Sequence, residues 1–287
     1  MLGPWCCTRQ KMFCPSLARA IGLVLALQCA ITEGQLSPSL GNAAVPYSKV
    51  LSFGDSWTYL GDKPLKEALA PYGVNVSVTG IPGTPAGFWR LIAPKKLAND
   101  VTKSGAQAVV LSIGGDDFLE ALPYGGDKDK ILTEMLNSTR VVLDALFAVH
   151  PDVHVYQWGY NLLSWSASEY CQGFGDTELK KCCCPKGWKD VECMTSVQIE
   201  YLQTKYVDAL HAEYAHKHNY HGLNLVGSLQ VAGGVMGAAV GKPVLSQYSP
   251  PQFVIDGPSS NPWACLHLTP SGFSAMYAQL VKQMGFQ

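Results

Sequence analysis

The chain has no surplus of charge of either sign, since 21 Lys and Arg stand against 22 Asp and Glu. No strong overall field favours nucleic acid, an acidic membrane surface or a polyanionic substrate. Long apolar runs are scarce as well: the N-terminal run Ala20 to Leu27 falls short of the ~20 residues a membrane span needs. There is no C-x-x-C pair and no His inside the cysteine cluster, which disfavours a zinc knuckle. No internal repeat is visible, so solenoid architectures are set aside. What is present is 47% hydrophobic residues and 28 glycines in 287 residues. That content buries a sizeable core and suits one large α/β domain better than two small ones.

Arg9, Lys11 and Arg19 precede the apolar run, and small or polar residues follow it, the pattern of a secretory signal with cleavage between Ala30 and Gln35. The expected organisation is a signal over residues 1–34 and one domain over 35–287. Cys171, Cys182, Cys183, Cys184, Cys193 and Cys265 then remain, an even number that agrees with export and three disulfides. Vicinal cysteines rarely meet disulfide geometry, so each member of the triplet pairs outside it, and Cys265 is expected to pair with one of them. Residues 164–193 carry most of these cysteines, lack any sustained period and are expected to form a stapled insertion. The sequons at Asn75 and Asn137 are candidate glycan sites in an exported chain.

From Tyr47 onward, short β-rich runs alternate with longer helical stretches, which predicts parallel strands joined by helical crossovers. Strands are expected at Lys49 to Phe53, Asn75 to Val78, Ala108 to Ile113, Val153 to Trp158 and Leu223 to Val226. Helices are expected at Pro64 to Ala70, Gly87 to Asn99, Lys128 to Val149, Ser196 to His218 and Ser271 to Met284. The stretch Gly233 to Pro262 reads as a long loop in a cleft wall.

Phe53-Gly54-Asp55-Ser56 directly follows an apolar strand, where α/β folds expose a side chain at the carboxyl edge of the sheet. Alone the tetrapeptide also fits a turn or a helix cap. Three further blocks follow in order: Gly80-Ile81-Pro82-Gly83-Thr84, Ser112-Ile113-Gly114-Gly115-Asp116-Asp117-Phe118, and Leu266-His267-Leu268-Thr269-Pro270-Ser271-Gly272-Phe273. Together the four resemble the blocks of the SGNH/GDSL hydrolases, an esterase and lipase family, over nearly the whole mature chain.

The resemblance implies a three-layer α/β/α, flavodoxin-like domain with a mainly parallel sheet. It also implies Ser56 as nucleophile and His267 as general base, with no cofactor. The backbone N–H groups of Ser56 and Gly83 are the implied oxyanion donors, Gly80 being a rival for the second. The chemistry needs such parts on its own account, because a serine hydroxyl is a poor nucleophile until a base removes its proton. The implied partners are a small-molecule, lipid or glycan ester, with no nucleic acid and no membrane segment after signal cleavage.

Two residues depart from the family pattern. Asp116 stands where most members place the Asn that is the third oxyanion donor, and an ionised carboxylate only accepts hydrogen bonds. It serves as a donor only if protonated, and the competing expectation is a cap on a helix from Phe118. Ala264 stands three residues before His267, where the family has Asp; Asp256 is a substitute candidate. Asp117 is expected to be structural. Together Asp116 and Ala264 favour an alternative, a binding protein on an inactive hydrolase scaffold.

The remaining motifs point elsewhere. His211, Glu213 and His216 have the wrong spacing for a zinc helix, and Gly241-Lys242 lacks the rest of a phosphate loop. No metal site is expected. Trp57, Trp89 and Trp263 are expected in core or rim packing.

Overall fold

The computed structural model describes residues 46–117, 128–161, 196–244, 249–255 and 267–286. Five strands, β1 (Lys49–Gly54), β2 (Asn75–Gly80), β3 (Ala108–Ser112), β4 (His154–Trp158) and β5 (Tyr220–Leu223), form one sheet in the order β2-β1-β3-β4-β5. Every neighbouring pair is parallel. The central strands read as they must when both faces are covered: Ala108 to Ser112 is buried throughout, and so is β1 after Lys49.

Seven α-helices with described bounds accompany the sheet. They are α1 (Ser56–Leu60), α2 (Asp62–Leu69), α3 (Ala86–Ser104), α4 (Lys128–Val149), α5 (Ser196–Glu213), α6 (Ser228–Ala232) and α7 (Pro270–Gln283). Helix α4 packs on α3 and α5, while α7 packs on α2 and α6, giving helical layers on both sides of the sheet. The domain is therefore the expected three-layer α/β/α sandwich. Its core is aromatic: Trp89 of α3 lies 4.8 Å from Phe53, and Trp57 of α1 lies 5.9 Å from Trp158 and 5.8 Å from Phe273. Trp57 and Trp89 are fully buried, as core packing requires. Trp263 lies outside the described residues.

Chain order places the site. From β1 the chain goes to β2 on one side and then crosses to β3 on the other, so the order reverses between β1 and β3. The carboxyl ends of those two strands flank the crevice in which open α/β sheets bind ligands.

Several boundaries differ from the sequence reading, the helix expected to end at Asn99 running on to Ser104 among them, and two of the shifts have a clear physical cause. Strand β5 begins at Tyr220 instead of Leu223. Tyr220-His221-Gly222 has the composition of a turn, but the His221 ring stacks 4.5 Å from that of Tyr156, and Gly222 lets α5 come close. A Cβ there would meet the His211 Cβ at 3.0 Å and the Val207 carbonyl at 3.2 Å. Helix α5 ends at Glu213 and gives way to a turn in which Lys217 N–H donates to the Tyr214 carbonyl at 2.9 Å. The expected signal, the insertion at 164–193 and Cys265 lie outside the described residues. No described helix is long and apolar enough to cross a membrane.

Candidate active site

Strand β1 ends at Gly54 because nothing larger fits. A Cβ there would lie 1.8 Å from the Ser112 carbonyl oxygen of β3, so a side chain would force the two strands apart. Asp55 then turns the chain: its N–H donates to Ser112 O at 3.1 Å, and its Oδ1 accepts from Trp57 N–H at 3.0 Å as the cap of α1. This turn sets Ser56 at the first position of α1, where its Oγ lies 2.8 Å from Nε2 of His267. Both side chains are buried.

His267 arrives from the opposite end of the chain and is held by backbone. Its carbonyl accepts from Ile255 N–H at 2.8 Å, Leu268 bridges Val254, and Thr269 N–H donates to Phe253 O at 2.9 Å. Thr269 also caps α7, accepting from Gly272 N–H at 3.2 Å. Gly272 permits this closeness, since a Cβ would lie 2.3 Å from Phe253 O.

The two candidate glycines have different tasks. A Cβ on Gly80 would strike the Tyr59 backbone nitrogen at 2.6 Å, so Gly80 serves the packing of β2 against α1. Gly83 is unobstructed but has a φ of 70°, and it lies in a turn closed by the Thr84 hydroxyl on Ile81 O at 2.6 Å. Ile81 N–H ties that turn to Gly54 O at 2.9 Å, beside Ser56. The next backbone N–H, of Thr84, faces the carboxyl of Asp116.

Asp116 does not cap a helix from Phe118. The chain is already helical over 115–117, so Asp116 sits inside the first turn, and its carboxyl meets the Tyr160 hydroxyl and the Thr84 N–H. Asp117 takes a structural part, accepting from Ala86 N–H at 2.7 Å at the start of α3. Asp256 and Ala264 lie outside the described residues. Among those described, no cluster of His, Cys, Asp or Glu could hold a metal ion.

The sequence reading missed two members of this constellation, Asp55 as more than a cap and Tyr160. The Tyr160 hydroxyl donates to Asp55 Oδ2 at 3.0 Å, lies 3.4 Å from Asp116 Oδ1 and stands beside the Ser56 side chain. Trp57 stacks on its ring at 4.4 Å and 13°. Burial, then the neighbouring Asp116, pushes the Asp55 carboxyl well above the usual range. Burial raises Asp116 too, partly offset by the Thr84 N–H and Tyr160. Burial and both carboxylates raise the Tyr160 phenol, so it stays protonated. The one available signal for Tyr160 was its position just past β4, at the sheet edge that carries Ser56.

No family model matches the chain, and no curated protein is similar to it. Solved structures are. One assigned as a GDSL-like lipase from Parabacteroides merdae aligns with a TM-score of 0.51 at 12% identity, over 83% of this chain and 96% of that one. An acetylxylan esterase from Geobacillus stearothermophilus aligns at 0.45 and 15% identity, over 84% and 95%. A family 3 carbohydrate esterase from Clostridium thermocellum aligns at 0.43 and 16%, over 82% and 93%. The chain has the fold of the SGNH/GDSL hydrolases.

Proposed function

We propose that this protein is a carboxylic-ester hydrolase in which Ser56 is the nucleophile and His267 the general base. The observation that carries this reading is the 2.8 Å contact between Ser56 Oγ and His267 Nε2 at the strand-order reversal. Ser56 Oγ attacks the ester carbonyl carbon while its proton passes to Nε2. The oxyanion forms beside the Ser56 and Gly83 N–H groups. Collapse breaks the bond to the alcohol, which leaves with the proton from His267. Water, deprotonated by the same imidazole, then releases the acid from the acyl-serine. An acyl ester of a lipid or an acetylated carbohydrate is the proposed substrate class.

Export belongs to the same proposal, resting on the N-terminal charge-then-apolar pattern and the even cysteine count beyond it. N-terminal sequencing of protein secreted from a eukaryotic host tests it, and a mature chain starting at Met1 overturns it. Ala264, in place of an acid three residues before His267, favours a second reading as a binding protein on this scaffold.

A fluorophosphonate probe separates the two. Stoichiometric labelling abolished in Ser56→Ala, with a loss in ester turnover on the order of 10⁴ or more, is expected. A folded wild type that takes no label overturns the hydrolase in favour of the binder.

A further inference from the structure

Tyr160 has one proton and three neighbours that its hydroxyl oxygen or hydrogen must satisfy. Asp55 takes the proton: its Oδ2 is the nearer acceptor at 3.0 Å, and its Oδ1 already accepts from Trp57 N–H. Both Asp55 oxygens are thus supplied with donors, the arrangement that suits a carboxylate. Asp116 is left differently placed. The Thr84 N–H serves its carboxyl from the Gly83 turn, its Oδ1 lies 3.4 Å from a phenol oxygen whose hydrogen points to Asp55, and its buried Oδ2 has no hydrogen-bond partner among the described residues. A charge there would be buried and close to a second carboxylate, with one of its two oxygens left without a donor, which disfavours the ionised form. A proton on Asp116 removes that charge and turns an orphan acceptor into a donor. The position adjoins the nucleophile, because the same Tyr160 hydroxyl lies beside the Ser56 side chain and the adjacent Thr84 N–H faces Asp116 from the Gly83 turn.

We propose that Asp116 is a neutral carboxylic acid whose Oδ2–H donates to the oxyanion formed at Ser56, with Asp55 as the ionised partner and Tyr160 as the bridge that keeps their charges apart. The inference rests on the hydrolase reading. Both members of the pair are pushed upward, Asp55 the further by its deeper burial, so the pair shares its first proton and the hydrogen-bond pattern decides where it resides. The other groups around it are Asp117 on its own turn, His267 beside Ser56, and the Tyr206 and Tyr277 phenols, which feel Asp55 from α5 and α7.

The sign of the pH dependence follows. With the base in place, turnover falls on the alkaline side as Asp116 loses its proton. In wild type the alkaline fall should reach about 10²-fold, the usual loss when one oxyanion donor is removed. Asp116→Asn carries a donor that does not titrate, so its alkaline limb should be absent. Asp55→Asn removes the neighbouring charge that disfavours ionisation, so its alkaline limb should move to lower pH. Asn still caps α1 in that variant.

A second readout is independent of turnover. The infrared spectrum of folded, unliganded wild type at neutral pH should contain a protonated-carboxyl band that shifts in D2O and is missing in Asp116→Asn. Absence of that band, or an alkaline limb that persists unchanged in Asp116→Asn, overturns the proposal. If Asp116→Asn does not fold, the Asp55→Asn limb decides: an unmoved or upward-moved limb overturns it. Failure of the hydrolase reading is seen separately, as a wild type that takes no fluorophosphonate at any pH while the carboxyl band is still measured.

Discussion

Gly115 shows how one missing side chain holds the site together. A Cβ there would lie 2.0 Å from the Tyr160 ring, which cannot yield because Trp57 stacks on its other side. Gly115→Ala should therefore displace the Tyr160 hydroxyl and cost ~1–3 kcal/mol of stability. Urea unfolding with a parallel ester assay checks both losses, and a variant as stable and active as wild type contradicts the argument. The Asp55 and Asp116 pair makes a further prediction. Both carboxyls titrate above their ordinary value of 3.8, so the native state binds more protons than the unfolded chain once pH exceeds that value. Their contribution is complete below about 3.8 and is lost as pH rises through the raised native values. Thermal melts should show stability falling over that interval, with a shallower fall in Asp116→Asn. Ser56, His267 and Gly83 were readable from ordered blocks. Tyr160 was not, because a lone tyrosine after a strand carries no spacing to mark it.

Strands β4 and β5 are joined by more than their ladder. His154 and His221 stack with rings 8° apart, Nδ1 of the first lies 3.3 Å from Nε2 of the second, and Tyr156 stacks on His221. Two imidazolium ions cannot share that distance cheaply. Burial, then His218, lowers His154, and burial, then His154, His211 and His218, lowers His221. A depressed native value means that stability is present above the unfolded value of about 6.5 and is lost as pH falls through the native ones. His221→Phe keeps the stack without the charge and should flatten the acid limb of thermal melts below about 6.5, the ordinary imidazole value. An unchanged acid limb contradicts this. The pairing also explains the shift of β5 from Leu223–Val226 to Tyr220–Leu223. Polar composition suggested a turn, whereas the stacking partner that makes His221 a strand residue, Tyr156, sits on a strand 65 residues upstream.

Across the molecule, one hydrophobic cluster runs through both helical layers and the sheet, from Tyr47 and Val50 to Met284 and Phe286. No second core divides the described residues, so the domain should unfold as one unit. Tryptophan fluorescence and far-ultraviolet circular dichroism should give coincident melts, and separated midpoints would contradict it. Trp89→Ala, which empties the contact with Phe53, should lower stability by ~3–5 kcal/mol in both signals together. By itself the sequence determined the layer architecture, because alternating apolar strands and amphipathic helices leave few ways to bury both faces of a parallel sheet. It also offered Ser56, Gly83 and His267 as candidates, because four ordered blocks together resemble those of one hydrolase family where any single block would not. Only the tertiary structure decided which residues meet: that His267 reaches Ser56 across 211 positions, and that Asp116 turns inward instead of capping a helix. It alone joined Asp55 and Asp116 through one tyrosine hydroxyl, since hydrogen bonds between distant segments are set by how layers pack, and packing leaves no periodic trace in the chain.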